Sequence, residues 1–258
     1  MSQLKKTGCQ AINNIFFPEI CSSCGEINES FLCEKCRRSI AEIKNISCPF
    51  CGAPFVSDNE TSSLNYERAV LFPTRTDCPV CRDSAYSFYR LRSFGLYSGI
   101  LKKLIIKFKY QKIYTLAPVL NSFLKKAYAE NYISEKIDYM DTVPDFNDFR
   151  GGAANFARQE DNHMQILAKM FSKETGIPYG GNIIKIKKTL KQQNLGLYER
   201  KVNLEGVFKA AYSLRADKKN ILLIDDVWTT GNTLNEISGA LKKCGAKKIY
   251  LLTIARAV

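Results

Sequence analysis

Residues 221–233 carry the side chains best suited to chemistry, and they read Ile-Leu-Leu-Ile-Asp-Asp-Val-Trp-Thr-Thr-Gly-Asn-Thr. The aliphatic residues predict a buried strand, Asp225 and Asp226 stand at its carboxyl end, and the Thr/Gly segment opens a helix. In open α/β sheets, ligands bind just outside the carboxyl ends of strands, and a helix start offers unpaired N–H groups to anions. Because carboxylates accept hydrogen bonds from hydroxyls and amides bind phosphate, this pattern predicts a sugar-phosphate site.

A simpler alternative is a generic strand–turn–helix, since acidic residues near a helix N-terminus are favourable in any protein. An Asp-Asp pair alone would support only that alternative. The order and spacing of apolar strand, Asp-Asp, Thr-Thr-Gly and Thr favour the phosphosugar site. The segment is not the Gly-rich loop of P-loop NTPases, because no Gly-Lys-Ser/Thr follows it.

The second concentration of chemistry is a cysteine-rich front end. Nine of the ten cysteines precede residue 82. Eight form four Cys-x-x-Cys pairs: Cys21/Cys24, Cys33/Cys36, Cys48/Cys51 and Cys78/Cys81. One such pair supplies two thiolates to a tetrahedral zinc ion, and two pairs complete the site. A thioredoxin-type redox pair is the alternative for a single motif, but four motifs within 61 residues favour zinc.

The cysteine spacing predicts two zinc ribbons in series, with an interleaved arrangement as the open alternative. Gly25 and Gly52 directly follow a second cysteine and permit the positive φ that a zinc knuckle often needs. Four cysteines leave no open coordination position, so the zinc, one or two ions per chain, is expected to be structural. Cys244 shares a helical face with Leu234 and Leu241 and is expected in the core.

The elements that must position these groups alternate between strand and helix, which predicts a largely parallel sheet. Apolar periodicity predicts helices and strands over the following ranges: helices 98–110, 116–128, 162–175 and 233–244, and strands 137–143, 183–186, 221–224 and 249–254. Asn162 is the expected N-cap of the third helix, and Gly176 its expected end. His163 lies on the apolar face of that helix and is expected to be a core-edge histidine rather than a general base. We divide the chain into a zinc-ribbon module, 1–85, and a second domain, 86–258.

Composition constrains the partners of this chain of 258 residues. Lys and Arg total 38 against 25 Asp and Glu, a net charge of +13. This charge suits a polyanionic partner such as nucleic acid or a phosphorylated metabolite, and a lysine-rich solvated surface is the alternative. The sequence contains no apolar run of about 18 residues and no signal-peptide core. We therefore expect a cytoplasmic protein without membrane insertion.

The chain resembles the ComF family of competence-associated proteins in four stretches. They are the cysteine pairs, the segment from Tyr97-Ser98-Gly99 to Lys109-Tyr110, the pattern Gln192-x-x-Leu195, Arg200, Asn203-Leu204 and Phe208, and the 225–233 loop. The resemblance implies an α/β fold of the type I phosphoribosyltransferase kind, a mostly parallel sheet flanked by helices, with an N-terminal double zinc ribbon. The 225–233 segment is similar to the loop that binds phosphoribosyl pyrophosphate (PRPP) in these enzymes.

The resemblance also implies a role for each residue of the loop. Asp225 and Asp226, the expected catalytic residues, would hold the ribose hydroxyls directly or through Mg²⁺, which prefers oxygen ligands. Backbone amides from Thr229 to Thr233 would cradle the 5′-phosphate, and Gly231 would allow its close approach. The expected PRPP-binding residues are Asp225, Asp226, Val227, Thr229, Thr230, Gly231, Asn232, Thr233, Lys109 and Arg200. Of these, Lys109 and Arg200 are candidates for the pyrophosphate.

One stretch departs from the family pattern. Val143-Pro144 is followed by Asp145-Phe146 rather than a second Val-Pro, and 159–161 read Gln-Glu-Asp where the family has Arg-Gly-Phe. Arg150 and Arg158 are available to replace the missing arginine. In the family's fold this region contacts pyrophosphate, so the departure bears on turnover more than on PRPP binding.

Two functions therefore stand as hypotheses. The first is transfer of phosphoribose from PRPP to an unidentified nitrogenous acceptor, in DNA uptake or nucleotide metabolism. The second is a non-catalytic factor that binds single-stranded DNA, works with DNA-uptake or helicase proteins, and keeps PRPP binding as a regulatory or vestigial property. Trp228, inside the loop, is expected either to stack on a base or to pack against the zinc module.

Overall fold

A computed structural model describes residues 19–44, 47–54, 75, 78–82, 84–144, 162–187, 206–210 and 218–257. The labelled elements follow in chain order: β1 Glu19–Ile20, β2 Ile27–Asn28, α1 Glu34–Arg38, β3 Arg90–Leu96, α2 Gly99–Tyr110, α3 Ala117–Asn131, β4 Tyr139–Thr142, α4 His163–Thr175, β5 Ile183–Lys185, β6 Phe208–Ala210, β7 Asn220–Trp228, α5 Asn232–Lys243 and β8 Lys248–Arg256. A 3₁₀ turn at Tyr114–Leu116 leads into α3.

The main sheet has four strands in the order β3-β8-β7-β4. Every neighbouring pair is parallel, which confirms the predicted parallel α/β fold. β7 and β8 occupy the two inner positions and are almost entirely buried. Strands that are covered on both faces carry near-continuous apolar runs, and this explains why these two were the clearest strands in the sequence.

Alternate residues of β7 pack into different layers of the core. Leu222 and Ile224 join the layer formed by α2, α3 and α4, whereas Ile221 and Leu223 join the layer that contains α5. This follows from the two-residue period of a strand. The buried helical residues that face the first layer include Leu101, Leu104, Leu120, Phe123, Leu167 and Phe171.

The observed strands extend beyond the predicted ones at the functional end of the sheet. β7 was predicted to end at Ile224 but continues to Trp228, because Val227 and Trp228 still pair with Ala255 and Arg256 of β8. The acidic pair therefore lies within the last paired residues of the strand. The sequence analysis missed four strands: β1, β2, β3 and β6. β3 reads Arg-Leu-Arg-Ser-Phe-Gly-Leu, and its polar residues concealed an edge strand.

The helix boundaries agree with the predictions to within a few residues. Asn162 caps α4 through a capping box with Gln165, and Gly176 ends that helix at a φ of 76°. The expectation for Cys244 was wrong, because its side chain is exposed. The chain leaves the helix at this residue, so the apolar periodicity of α5 no longer applies there.

The cysteine-rich segment is joined to the free edge of β3 by backbone hydrogen bonds. The Ile43 N–H donates to the Phe94 carbonyl at 3.0 Å, and the Leu96 N–H donates to Ala41 at 2.8 Å. Gly95 is needed there, because a Cβ would lie 2.8 Å from the Ala41 oxygen. An edge covered in this way cannot pair with another chain. The domain boundary at residue 85 stays a prediction, since these contacts cross it.

No helix in the described ranges combines the length and the apolar character that a membrane crossing requires.

Candidate functional site

Three elements converge on Asp226 at the carboxyl end of β7. Asp226 is buried, and its Oδ2 lies 2.6 Å from Lys109 Nζ at the end of α2. The same Oδ2 lies 3.3 Å from His163 Nε2, on the first residue of α4. Asp225 Oδ1 accepts the Asp226 N–H at 2.9 Å. The site thus combines two carboxylates with one lysine and one imidazole.

Helix packing explains why Lys109 and His163 reach the same carboxylate. The apolar face of α2 is buried through Leu104, Ile105 and Phe108. Phe108 also contacts the His163 ring edge-on, with centroids 6.1 Å apart. Since Lys109 directly follows Phe108, burial of the aromatic ring places the ammonium group beside Asp226.

The neighbouring charges drive the two carboxyl pKa values apart. Burial raises the pKa of Asp226, but the charge of Lys109 and the hydrogen bond from His163 more than offset it, so the net pKa falls below its usual range. Burial and then the charge of Asp226 raise the pKa of Asp225 to about 7. Burial lowers the pKa of Lys109, but Asp226 and Asp225 reverse this, and the net pKa rises. Asp226 is therefore firmly ionised, and Asp225 changes charge near neutral pH.

The Thr/Gly segment forms a tight connection between β7 and α5. Gly231 is the N-cap of α5 with a φ of 75°, a conformation that other residues rarely adopt. A Cβ at this position would also overlap the ring of Trp228. Because glycine has no side chain to bond to the first N–H groups of the helix, this end suits a phosphate. Thr229, the first residue of this connection, is exposed.

Trp228 is a core residue, and the packing alternative is the one that the structure shows. It is only 2% exposed and contacts Tyr86 and Phe88 edge-on, with centroids 5.7 and 5.6 Å apart. Both partners lie just after the last Cys-x-x-Cys pair. The ring is therefore not available to stack on a base.

The remaining expected residues divide into two groups. Val227, Thr230, Asn232 and Thr233 are partly exposed around the loop. Arg200, Arg150 and Arg158 lie outside the described residues, so their proposed roles stay predictions. His163 is buried as expected, but the sequence analysis missed its contact with Asp226. No pattern in the sequence analysis signalled that contact.

The eight paired cysteines form two tetrads in series. The sulfur atoms of Cys21, Cys24, Cys33 and Cys36 lie within 4.8 Å of one another, as do those of Cys48, Cys51, Cys78 and Cys81. This excludes the interleaved arrangement. The sulfur–sulfur distance is 3.7 Å for Cys24 and Cys33 in the first tetrad. In the second tetrad it is 3.9 Å for Cys48 and Cys81 and 3.8 Å for Cys51 and Cys78. Four sulfurs around a tetrahedral zinc with bonds of about 2.3 Å would be about 3.8 Å apart, so both tetrads fit zinc.

The backbone of each knuckle supports this fit. Gly25 and Gly52 have φ values of 81° and 63°, as the sequence predicted. Their N–H groups donate to the carbonyls of Cys21 and Cys48, both at 2.9 Å. The two sites differ in exposure, because Cys24 is exposed whereas all four cysteines of the second tetrad are buried. With four thiolates at each site, both tetrads suit structural zinc.

Comparison with known proteins matches two segments of the chain to known domains. A double zinc ribbon domain model matches residues 12–65, and a phosphoribosyl transferase domain model matches residues 185–257. Cys78 and Cys81 complete the second tetrad from beyond the first match. The fold and the tetrads thus define a protein with a phosphoribosyltransferase domain and an N-terminal double zinc ribbon.

A curated relative is similar to this chain over nearly its whole length. The chain is 29% identical over 250 residues to competence protein F of Haemophilus influenzae, covering 94% of this chain and 99% of the relative. This similarity and the two domain matches confirm the resemblance to the ComF family that was drawn from the sequence motifs.

Solved structures give weaker matches. The glutamine PRPP amidotransferase of B. subtilis aligns with a TM-score of 0.38 and 16% identity, over 58% of this chain and 30% of that enzyme. The adenine phosphoribosyl transferase of Trypanosoma brucei aligns with a TM-score of 0.35 and 13% identity, over 67% and 72% of the two chains. This chain spans less than a third of the amidotransferase.

The two knuckle glycines form a matched pair for a stability test. At Gly25 a Cβ would meet no atom within 4 Å, whereas at Gly52 it would lie 2.9 Å from the Leu91 oxygen of β3. We expect Gly25→Ala to lower the free energy of unfolding by about 1–2 kcal/mol through its positive φ alone. Gly52→Ala should lower it by roughly 1–3 kcal/mol more, because the knuckle must move away from β3. Urea unfolding of the zinc-loaded protein measures both, and equal losses would contradict this account.

Asp225→Asn and Asp226→Asn should shift stability in opposite directions. The pKa of Asp225 rises from 3.8 to about 7 on folding, so its ionisation destabilises the folded state increasingly between these pH values. Asp225→Asn should therefore raise the free energy of unfolding at pH 8, by on the order of 1 kcal/mol, and raise it much less at pH 5. Because the folded pKa of Asp226 lies below 3.8, Asp226→Asn should lower stability at both pH values, by roughly 1–3 kcal/mol. Urea unfolding at pH 5 and pH 8 tests both signs, and a loss of stability in Asp225→Asn at pH 8 would refute the charge assignment.

Proposed function

We propose that this protein binds PRPP together with Mg²⁺ at the carboxyl end of β7. The observation that carries the proposal is the pairing of an ionised, buried Asp226 with a glycine-capped helix start five residues further on. The first feature suits ribose hydroxyls and the second suits a phosphate. The phosphoribosyl transferase domain match includes both features.

In this proposal each group has one role. Asp225 and Asp226 accept hydrogen bonds from the ribose hydroxyls, and the amides of residues 229–233 hold the 5′-phosphate. Lys109, which already neutralises Asp226, adds positive charge for the pyrophosphate, and Arg200 remains a second candidate. Asp225 and Asp226 would hold Mg²⁺ through their carboxylate oxygens, and the ion would supply positive charge to offset the diphosphate. A cation beside Asp225 favours its ionised form, so ligand binding and ionisation of Asp225 support each other.

Transfer of the phosphoribosyl group is the reaction that such a site supports. The bond from C1 of the ribose to the pyrophosphate oxygen breaks, and a bond from C1 to a nitrogen of the acceptor forms. Positive charge develops on the ribose ring, and negative charge develops on the departing pyrophosphate. The ionised Asp226 faces the first charge and Lys109 the second, so the protein contributes positioning and charge stabilisation. The acceptor is a nitrogenous compound that the sequence motifs do not identify.

A second candidate function is binding of single-stranded nucleic acid. The chain has a net charge of +13, and Tyr89 is a partly exposed aromatic residue between two cations. Lys248 Nζ lies 4.2 Å and Arg90 Cζ 5.5 Å from its ring centroid. Aromatic rings beside basic groups are typical of surfaces on which bases stack.

Calorimetric titration of the zinc-loaded protein with PRPP and Mg²⁺ tests the first proposal. We expect binding in the wild type and no detectable binding in the double variant Asp225→Asn, Asp226→Asn, because the ribose hydroxyls lose both charged acceptors. Asp138→Asn is the matched control, since Asp138 accepts the Asn220 N–H at 2.8 Å at the opposite end of β7. Unchanged affinity in the double variant would refute the site assignment.

A parallel titration with single-stranded DNA separates the two candidates. PRPP binding without DNA binding supports the transferase and leads to a screen of nitrogenous acceptors for pyrophosphate release. DNA binding without PRPP binding supports the nucleic-acid factor instead.

Lys109→Met should weaken PRPP binding by roughly 10- to 100-fold, because a charge-assisted contact is lost. Lys107→Met is the control on the same helix, since Lys107 Nζ donates to the Ser22 carbonyl at 2.6 Å, in the first zinc knuckle. Its effect on affinity should stay within about twofold. Equal effects of the two variants, measured by the same calorimetry, would show that general positive charge matters rather than the contact with Asp226.

A further inference from the structure

The second cysteine tetrad is connected through two buried side chains to residues 229–233, which we call the phosphate loop after its proposed ligand. Arg256, at the end of β8, is 3% exposed. Its Nη1 donates to the Cys51 carbonyl at 2.6 Å, and its Nη2 lies 3.9 Å from Cys51 Sγ. On the other side, its guanidinium carbon lies 5.7 Å from the centroid of the Trp228 ring. Arg256 therefore contacts a predicted zinc ligand and the last residue of β7 simultaneously.

The charge of Arg256 identifies the tetrad as its counter-ion. A buried guanidinium needs a compensating negative charge. Within the described ranges, no carboxylate oxygen lies within the 4.0 Å of a salt bridge to it. Four thiolates around Zn²⁺ carry a net charge of −2. The metal-loaded second tetrad thus supplies the charge that allows Arg256 to stay buried.

Trp228 carries this connection to the phosphate loop. It pairs in register with Arg256, and its carbonyl accepts the Ala257 N–H at 2.8 Å. Its ring occupies the space directly over Gly231, where no Cβ would fit. Gly231 is the cap of α5, so movement of the indole would change the start of the helix.

We propose that Arg256 and Trp228 are positioning residues through which the second zinc tetrad, and not the first, holds the phosphate loop in its binding conformation. The effect on affinity rests on the proposed PRPP function. The structural coupling does not, because Trp228 is the only tryptophan in the chain and reports on its own surroundings by fluorescence.

The first tetrad is an internal control. Three of its cysteines, Cys21, Cys33 and Cys36, belong to the apolar cluster of α2, α3 and α4, whereas Trp228 belongs to the cluster of α5. Loss of zinc from the first tetrad should therefore leave the indole undisturbed.

Zinc release from the wild-type protein tests the coupling directly. A chelator is added, and zinc release and Trp228 emission are followed together. We expect two phases, with the first tetrad emptying faster because Cys24 is exposed. The emission should change, with a shift to longer wavelength, only in the slow phase. An emission change that follows the fast phase, or no change in either phase, would overturn the proposal.

Two arginine variants test whether Arg256 connects the second tetrad to Trp228. Arg256→Met should shift the Trp228 emission and weaken PRPP binding on the order of 10- to 100-fold, through misplacement of the loop. Arg92→Met is the matched control, because Arg92 donates to the Cys48 and Pro49 carbonyls of the same knuckle at 3.4 and 3.0 Å. Arg92 pairs in register with Leu252 rather than with a residue of the loop. Its variant should leave emission and affinity unchanged, and equal effects of the two variants would overturn the proposal.

Arg256→Lys keeps a cation and a donor for the Cys51 carbonyl, so we expect it to restore most of the wild-type emission and affinity. Emission in Arg256→Lys as perturbed as in Arg256→Met would overturn the charge argument. If Arg256→Met does not fold, the chelator experiment on the wild type still decides. If the wild type does not bind PRPP, the proposed function fails, whereas the emission measurements still test the coupling.

Discussion

The parallel pairing of β7 with β8 determines the positions of the groups on which this protein depends. Its register runs from Asn220 opposite Lys248 to Trp228 opposite Arg256. Because parallel strands end at the same edge of the sheet, the two carboxylates, the Thr/Gly segment of residues 229–233 and Arg256 all meet there. Both strands are buried on both faces, so a shift in register would move the whole apolar core and is strongly disfavoured.

The two buried carboxyl groups at this edge of the sheet differ in how the cost of burying their negative charge is met. Asp226 is stabilised as an anion by Lys109 and His163, whereas Asp225 has its pKa raised instead. A buried ion pair is weak evidence for stability, since desolvation opposes the attraction. Retaining this group of charges is therefore more easily explained by ligand binding than by folding. A carboxyl that changes charge near neutral pH suits a site that accommodates a cation with its substrate.

The cysteine-rich segment contacts the main sheet through β3 and β8. Its linker pairs with the edge of β3, and its second knuckle is held by arginines from β3 and β8. Structural zinc in such a segment replaces part of a conventional apolar core. The second tetrad lies against the end of β8, close to residues 229–233. Tyr86 packs against the cysteines of this tetrad and also against Trp228, so it contacts both sites.

Local spacing in the sequence was enough to predict much of this protein. Four Cys-x-x-Cys pairs, the apolar runs of β7 and β8, and the Asp-Asp/Thr-Thr-Gly order depend on neighbours along the chain, and each appeared in the structure where it was expected. The caps of α4 were equally readable, since Asn162 and Gly176 act on the residues next to them. Such features survive in any tertiary context because they are made within a few residues.

Only the tertiary structure decided which distant groups meet. Lys109 and His163 are 117 and 63 residues from Asp226 in the numbering, and no local pattern announces their shared contact. The edge strand β3, the exposure of Cys244 and the contacts of Arg256 were not predicted from the sequence for the same reason. Trp228 left two alternatives open until its neighbours Tyr86 and Phe88 were known. Sequence alone determined the fold class and which residues form the two groups suited to chemistry, whereas long-range packing decided how the charges of those residues pair and what joins the two groups.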